Sequence, residues 1–179
     1  MNDNNSLSVV MNKRWYAVCT VEKHERAVYS ALYEKDIETF LPVKGVVSRW
    51  KDINKRAEFP LFPGYVFINT SLRDSHREIL NIRGVVRLLG VNGTPTPVPT
   101  DQIDAIRKLL DSRLKYDQYP YCAHGKEVVC MNGPLQGVRG KIIGRRGNYR
   151  FILSVDLIQR SVAVTGDIKD VELEWADAR

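Results

Sequence analysis

The sequence predicts an α+β domain followed by a small all-β barrel, and three observations carry that expectation. Strand-type and helix-type periodicities alternate up to about residue 114. From about His124 the text changes to short alternating runs cut by Asn132-Gly133-Pro134, Gly137, Gly140, Gly144, Gly147 and Gly166-Asp167. With 179 residues, 44% hydrophobic and 27% charged, the chain can bury one good core or two small ones and keep a soluble surface.

Trp15 to Thr20, rich in aromatic and β-branched residues, reads as a strand, and Ala27, Val28, Ala31 and Leu32 follow at helical spacing. Ile37 to Val43 and Gly45 to Val47 return to β-type before a basic, turn-like interval from Arg49 to Arg56, which suggests a hairpin with a charged tip. Glu58 to Ile68 is the most apolar strand candidate, with Tyr65 and Phe67 on one face and Val66 and Ile68 on the other. Its prolines fall at its start, where missing donors are tolerated. Leu72 to Ile82 reads as a helix ended by Arg83-Gly84, Val85 to Leu89 as a strand, and Asn92-Gly93 as a tight turn. Thr100 can cap a helix carrying Ile103, Ile106, Leu110 and Leu114, on which the first domain closes. Lys115 to Ala123, without sustained period, reads as a linker. Barrel strands are expected at Glu127 to Met131, Gly140 to Ile143, Tyr149 to Val155, Ser161 to Val164 and Val171 to Leu173.

Several chemistries lack their signatures. The three histidines, His24, His76 and His124, sit in separate segments and read as surface residues rather than metal ligands. No G-x-S-x-G, P-loop or G-x-G-x-x-G is present, and the carboxylates are dispersed, so the expectation is a protein that is not an enzyme and takes no cofactor or metal. Cys19, Cys122 and Cys130 form no C-x-x-C pair and leave an odd thiol, which argues for a reducing compartment. The first residues lack the pattern of a signal peptide, and no run approaches the length of a membrane helix, so a cytoplasmic protein with a loose tail and no membrane contact is expected.

The net charge of +6 favours polyanionic partners and is concentrated locally. Gly137 to Arg150 holds Arg139, Lys141, Arg145, Arg146 and Arg150 with no acid, on an expected hairpin whose guanidinium forks suit phosphates or merely solubilise a turn. Arg49, Lys51, Lys55 and Arg56 against Asp52 give the other hairpin the same two readings. The aromatics Trp15, Tyr16, Phe59, Phe62, Tyr65 and Phe67 fall on two strands expected side by side; most should be core, leaving some for a concave apolar face of the kind that binds partner helices.

The ordered set Trp15-Tyr16-Ala17-Val18, Phe62 to Ile68, Arg83-Gly84-Val85 with Leu89-Gly90, and Gly93 to Val98 closely resembles the NGN domain of NusG-family transcription elongation factors. Gly125 to Val129, Asn132 to Leu135 and Gly137 to Lys141 look like the opening of the KOW domain that follows it. The resemblance implies a tail over 1–12, an NGN domain over 13–114 with an antiparallel sheet and flanking helices, a linker over 115–123, and a KOW barrel over 124–176. It implies a non-catalytic factor that rides on RNA polymerase, suppresses pausing or termination, and recruits partners through the barrel.

Residue by residue, the resemblance places Trp15, Cys19, Phe62, Pro63, Tyr65 and Phe67 against the clamp helices of the polymerase β′ subunit, and Ser75, His76 and Arg77 against the β-subunit gate loop. Arg83 and Gly84 fall near the nontemplate DNA strand; beside the resemblance, Arg26 and the basic tip at Arg49, Lys51, Lys55 and Arg56 read as contacts to DNA, and Arg145 and Arg146 on the barrel hairpin as nucleic-acid contacts. The barrel's recruiting loop, Ile-Phe-Gly-Arg in general NusG, reads Leu157-Ile158-Gln159-Arg160 here; Leu157, Ile158 and Arg160 would meet the partner, the ribosome in preference to Rho. That departure, with Pro60-Leu61-Phe62-Pro63, looks more like the specialised RfaH-like and UpxY-like paralogues. The alternative is a KOW-bearing RNA- or ribosome-associated protein.

Overall fold

The computed structural model describes residues 13–50, 53–145, 148–165 and 173–175. The expected tail, Lys51 and Arg146 lie outside them, and the side chains of Arg49, Lys55, Arg56 and Arg145 are likewise outside the description. The chain divides after Val98 into two compact units.

The N-terminal unit is built on a four-stranded antiparallel sheet in the order β2-β5-β1-β6, comprising β1 (Arg14–Thr20), β2 (Glu38–Phe40), β5 (Tyr65–Thr70) and β6 (Val85–Leu88). Helices α1 (Glu25–Tyr33) and α2 (Leu72–Leu80) present Val28, Leu32 and Ile79 to one face, where they pack with Tyr16, Val18, Val66 and Ile68. Spacing of three and four residues puts the buried positions of α1 on one stripe, and strand alternation gives β1 and β5 their matching sides. The expected alternation of Tyr65 and Phe67 against Val66 and Ile68 is the one observed.

The segment read as one strand from Glu58 to Ile68 is two. Glu58 to Pro60 close the long hairpin of β3 (Val43–Trp50) and β4 (Ile53–Pro60), and β5 begins only at Tyr65. Pro60 and Pro63 bring no amide to a ladder, and Gly64 at φ +83° takes a left-handed conformation that strands do not use. Ile37 to Val43 is likewise interrupted, by Leu41-Pro42 between β2 and β3. Asn92-Gly93 makes the tight turn between β7 (Gly90–Val91) and β8 (Thr94–Pro95).

In the C-terminal unit, α3 (Thr100–Asp111) starts one residue earlier than expected: Pro99 occupies the cap position and Thr100 is the first helical residue. Its buried side chains are Ile103, Ala105, Ile106 and Leu109 rather than a stripe ending at Leu110 and Leu114. The helix, expected to close the first domain, belongs to the second compact unit and packs against the strand over Asn148–Val155. The linker expected at 115–123 is instead largely strand β9 (Lys115–Pro120), paired along its whole length with β13 (Arg160–Thr165). Its polar text, Lys-Tyr-Asp-Gln-Tyr-Pro, is that of an edge strand in which only Tyr116 and Tyr119, on opposite faces, are half-buried.

With β10 (Lys126–Cys130), β11 (Arg139–Arg145), β12 (Asn148–Val155) and β14 (Leu173–Trp175), these strands form a six-stranded antiparallel sheet in the order β14-β10-β11-β12-β13-β9. Phe151, Leu153 and Val155 of β12 share a face with Val162 and Val164 of β13, while Ile152 on the opposite face is equally buried. A strand buried on both sides reads as a continuous apolar run, Phe-Ile-Leu.

Candidate functional site

The second face of the N-terminal sheet is aromatic. Trp15 meets Phe40 edge-on with ring centroids 6.5 Å apart, and Phe67 lies 6.2 Å from both Phe40 and Phe62, with Phe62 nearly perpendicular to it. Such offset and edge-on pairs add to area burial. Trp15, Phe62 and Phe67 are buried, at 3%, 2% and 0% exposure. Of the six residues placed against the clamp helices, these three are packed inside, Cys19 and Tyr65 are half-buried, and Pro63 is exposed.

The accessible residues form one row. Tyr65 pairs with Cys19, and Cys19 pairs on its other side with Arg87 of β6, so the three share a sheet face. The register shifts between Cys19 and Thr20, one end of the row lying at a bulge. Beside it the Phe62–Tyr65 turn is held three ways: Tyr65 donates to the Phe62 carbonyl (3.2 Å), Thr20 donates to the Gly64 carbonyl (2.9 Å), and the Gly64 amide donates to Glu25 Oε1 (2.8 Å). Glu25, in the first turn of α1, is only 4% exposed. A carboxylate there is favoured by the helix dipole and by the amide it accepts.

The residues placed near nucleic acid and the gate loop separate. Arg83 is exposed, on a turn whose Gly84 sits at φ +96° and accepts from the Val21 amide at 2.8 Å. A Cβ on Gly84 would come within 3.1 Å of His24 and Val28, so the turn lies close against α1. Arg26 is not free: its guanidinium meets the Glu58 carboxylate at 3.0 Å and the Glu58 carbonyl at 3.3 Å. Ser75 faces inward, bonded to the Ser71 carbonyl at 2.8 Å and the Thr70 hydroxyl at 2.9 Å, and leaves half-buried His76 and exposed Arg77 at that helix.

In the C-terminal unit the loop after β12 is a single 3-10 turn, Asp156–Ile158. Ile158 points inward and is 5% exposed, correcting its expected place at a partner surface; Leu157 is half-buried and Arg160 exposed. Gln159 adopts the left-handed conformation, at φ 49°, at a place where the resembled family carries glycine. Asp156 anchors the loop: Gln102 of α3 donates to its carboxylate at 2.7 Å and accepts its amide at 3.1 Å, and Tyr121 donates to it at 3.0 Å. That hydrogen bond to Asp156 holds the Tyr121 phenol above its usual pKa, so the contact persists through neutral pH and is lost only as alkali ionises the phenol.

Glu25 and Arg87 were not singled out from sequence. An acid in the first turn of a helix reads as a solvated, dipole-favoured charge, and Arg87 acquires its place only through the register of β6 on β1. Among the described residues, no group of three or more His, Cys, Asp or Glu could hold a metal ion, and no helix is long and apolar enough to cross a membrane.

Comparison with known proteins gives a consistent picture. A family model described as transcription termination factor nusG matches residues 13–107. The transcription termination/antitermination protein NusG of Pseudomonas aeruginosa is 28% identical, the alignment covering 93% of this chain and 97% of that protein. That of Lactococcus lactis subsp. lactis is 25% identical, covering 96% and 98%. A solved structure described as domain interaction in Thermotoga maritima NusG superposes with a TM-score of 0.56 at 21% identity, covering 90% of this chain and 97% of that one, which supports the fold.

Proposed function

The chain belongs to the NusG family of transcription termination and antitermination factors, and from that premise we propose that its N-terminal unit docks on the clamp helices of RNA polymerase through the open row of the aromatic face. The observation that carries this reading is the accessible set Pro63, Tyr65 and Cys19, backed by buried Trp15, Phe62 and Phe67 and fixed by a turn with three hydrogen bonds. A rigid apolar patch loses little conformational freedom on binding. The buried aromatics shape the patch rather than touch the partner.

In this reading His76 and Arg77 reach the gate loop, and Arg83, with the basic tip of the β3–β4 hairpin, meets upstream or nontemplate DNA through sequence-tolerant, salt-dependent phosphate contacts. The C-terminal sheet acts as a KOW barrel that recruits the ribosome through Leu157 and Arg160. The departures at Pro60 to Pro63 and at Leu157-Ile158 support a specialised, operon-directed paralogue; chromatin occupancy confined to a few transcription units is the expected outcome, and occupancy of most units would refute it.

The test of the main reading is co-purification of RNA polymerase with the full chain, followed by a pausing assay with and without it. Stable co-purification and altered pause lifetimes are expected. Association with ribosomes but not polymerase would select the RNA- or ribosome-binding alternative.

A further inference from the structure

The open row ends on a charge that the described residues of the N-terminal unit do not pair. Arg87 lies directly across β1 from Cys19, which lies directly across from Tyr65, so the three side chains rise from one face on neighbouring strands. Adjacent strands are about 4.8 Å apart, and whatever covers Tyr65 and Cys19 therefore reaches Arg87. Arg87 is exposed, and among the described residues it has no ion pair or hydrogen bond, in contrast to Arg26, which is tied to Glu58.

We propose that Arg87 makes this row selective: it pairs with an acidic side chain on the polymerase element that covers Tyr65 and Cys19. The inference rests on the docking reading above and adds the chemistry of the partner. A guanidinium covered by a partner and left unpaired is strongly unfavourable, because it gives up water without compensation. An apolar helix without a carboxylate is thereby rejected, and a helix carrying one gains a forked, charge-assisted contact. A DNA phosphate is the other anion to consider, since β6 is an edge of the sheet, but it would leave the neighbouring apolar Tyr65 and Pro63 without a partner. The row suits a protein surface with an apolar stripe and a carboxylate at its edge.

The experiment measures affinity of the full chain for purified RNA polymerase free of nucleic acid, at about 0.1 M and about 0.5 M salt, for wild type, Arg87→Ala, Arg87→Glu and Tyr65→Ala. At low salt Arg87→Ala is expected to weaken binding about tenfold and Arg87→Glu further, with both deficits shrinking at high salt, whereas the Tyr65→Ala deficit persists at both. Thermal melts of the Arg87 variants should match wild type, since the side chain is exposed.

Wild-type affinity in both Arg87 variants, alongside a failing Tyr65→Ala, overturns the proposal and leaves the docking reading standing. Wild-type affinity in all three removes the docking reading and the proposal with it. Loss of affinity for bare duplex DNA in Arg87→Glu, with polymerase binding intact, assigns the residue to DNA and also overturns the proposal.

Discussion

On one face of the N-terminal sheet, Tyr16, Val18, Val66 and Ile68 meet α1 and α2 in a buried apolar layer. On the other, Trp15, Ala17 and Phe67 are as deeply buried, while the next row, Tyr65, Cys19 and Arg87, lies partly open. The same two strands, β1 and β5, supply both faces. Folding and recognition are thus divided at the level of alternate residues, and two aromatics two positions apart on β5 do different work. Phe67 holds the sheet together; Tyr65 stands where a partner can reach it.

The sharpest way to break that comparison is to truncate the two in parallel. Phe67→Ala removes a fully buried ring in contact with Phe40 and Phe62, and a loss of about 3 to 5 kcal/mol is expected from the cavity and the lost transfer energy. Urea unfolding of the full chain measures it. A Phe67→Ala protein as stable as wild type would mean that the aromatic face is a surface throughout, and the division between rows would be lost.

Glu25 links the faces, because its carboxylate sits in the first turn of α1 and holds the Gly64 amide of the turn that presents Pro63 and Tyr65. Glu25→Ala leaves the part-buried Gly64 amide without its acceptor and should cost about 1 to 3 kcal/mol. Glu25→Gln keeps an oxygen at the same reach and should recover most of that. The Gly64 amide resonance should shift strongly in the alanine variant and weakly in the glutamine one. Equal stability and equal shifts in both would leave Glu25 with no part in fixing the turn.

Much of this division could be read from the chain, and what could not has identifiable causes. Alternation along Tyr65 to Ile68 assigned both faces, because a period of two is a local property of a strand. Exposure within a face depends on neighbours, so the text gave no ground for separating Tyr65 from Phe67. The break at Leu61 to Gly64 was obscured by apolar residues running continuously through a turn. Strand β9 was missed because an edge strand whose only two half-buried residues, tyrosines, lie three positions apart carries no alternation to detect; helix α3 was found but placed in the first domain rather than the second compact unit, because an amphipathic stripe says that a helix docks, not onto what. Arg87 depends on the register of β6 on β1, and register is not written in composition.

Tyr65→Ala tests the open half of the comparison with a smaller effect on the fold. A half-buried ring at the rim of the sheet should cost about 1 kcal/mol or less in stability and about tenfold or more in polymerase affinity, the pattern of an anchor residue. A variant that loses stability as Phe67→Ala does would place Tyr65 in the core.

The least perturbing probe uses the thiols. Cys19 is half-buried on the open row, whereas Cys130 is fully buried and donates to the Asn132 carbonyl at 3.1 Å. Burial pushes the Cys130 thiol above its usual pKa, so at neutral pH it is held as the neutral, unreactive form. The sign follows: the native state keeps this proton longer than the unfolded chain does, so stability from this group is full below the unfolded pKa and declines as pH rises through the folded one. A maleimide at neutral pH should therefore label Cys19 and spare Cys130 in the folded protein, read by peptide mass spectrometry. Adding saturating RNA polymerase should then slow labelling of Cys19 while leaving that of half-buried Cys122, in the other unit, unchanged. Equal slowing at both would point to a general shielding of the chain, and no slowing at Cys19 would show the row uncovered in the complex.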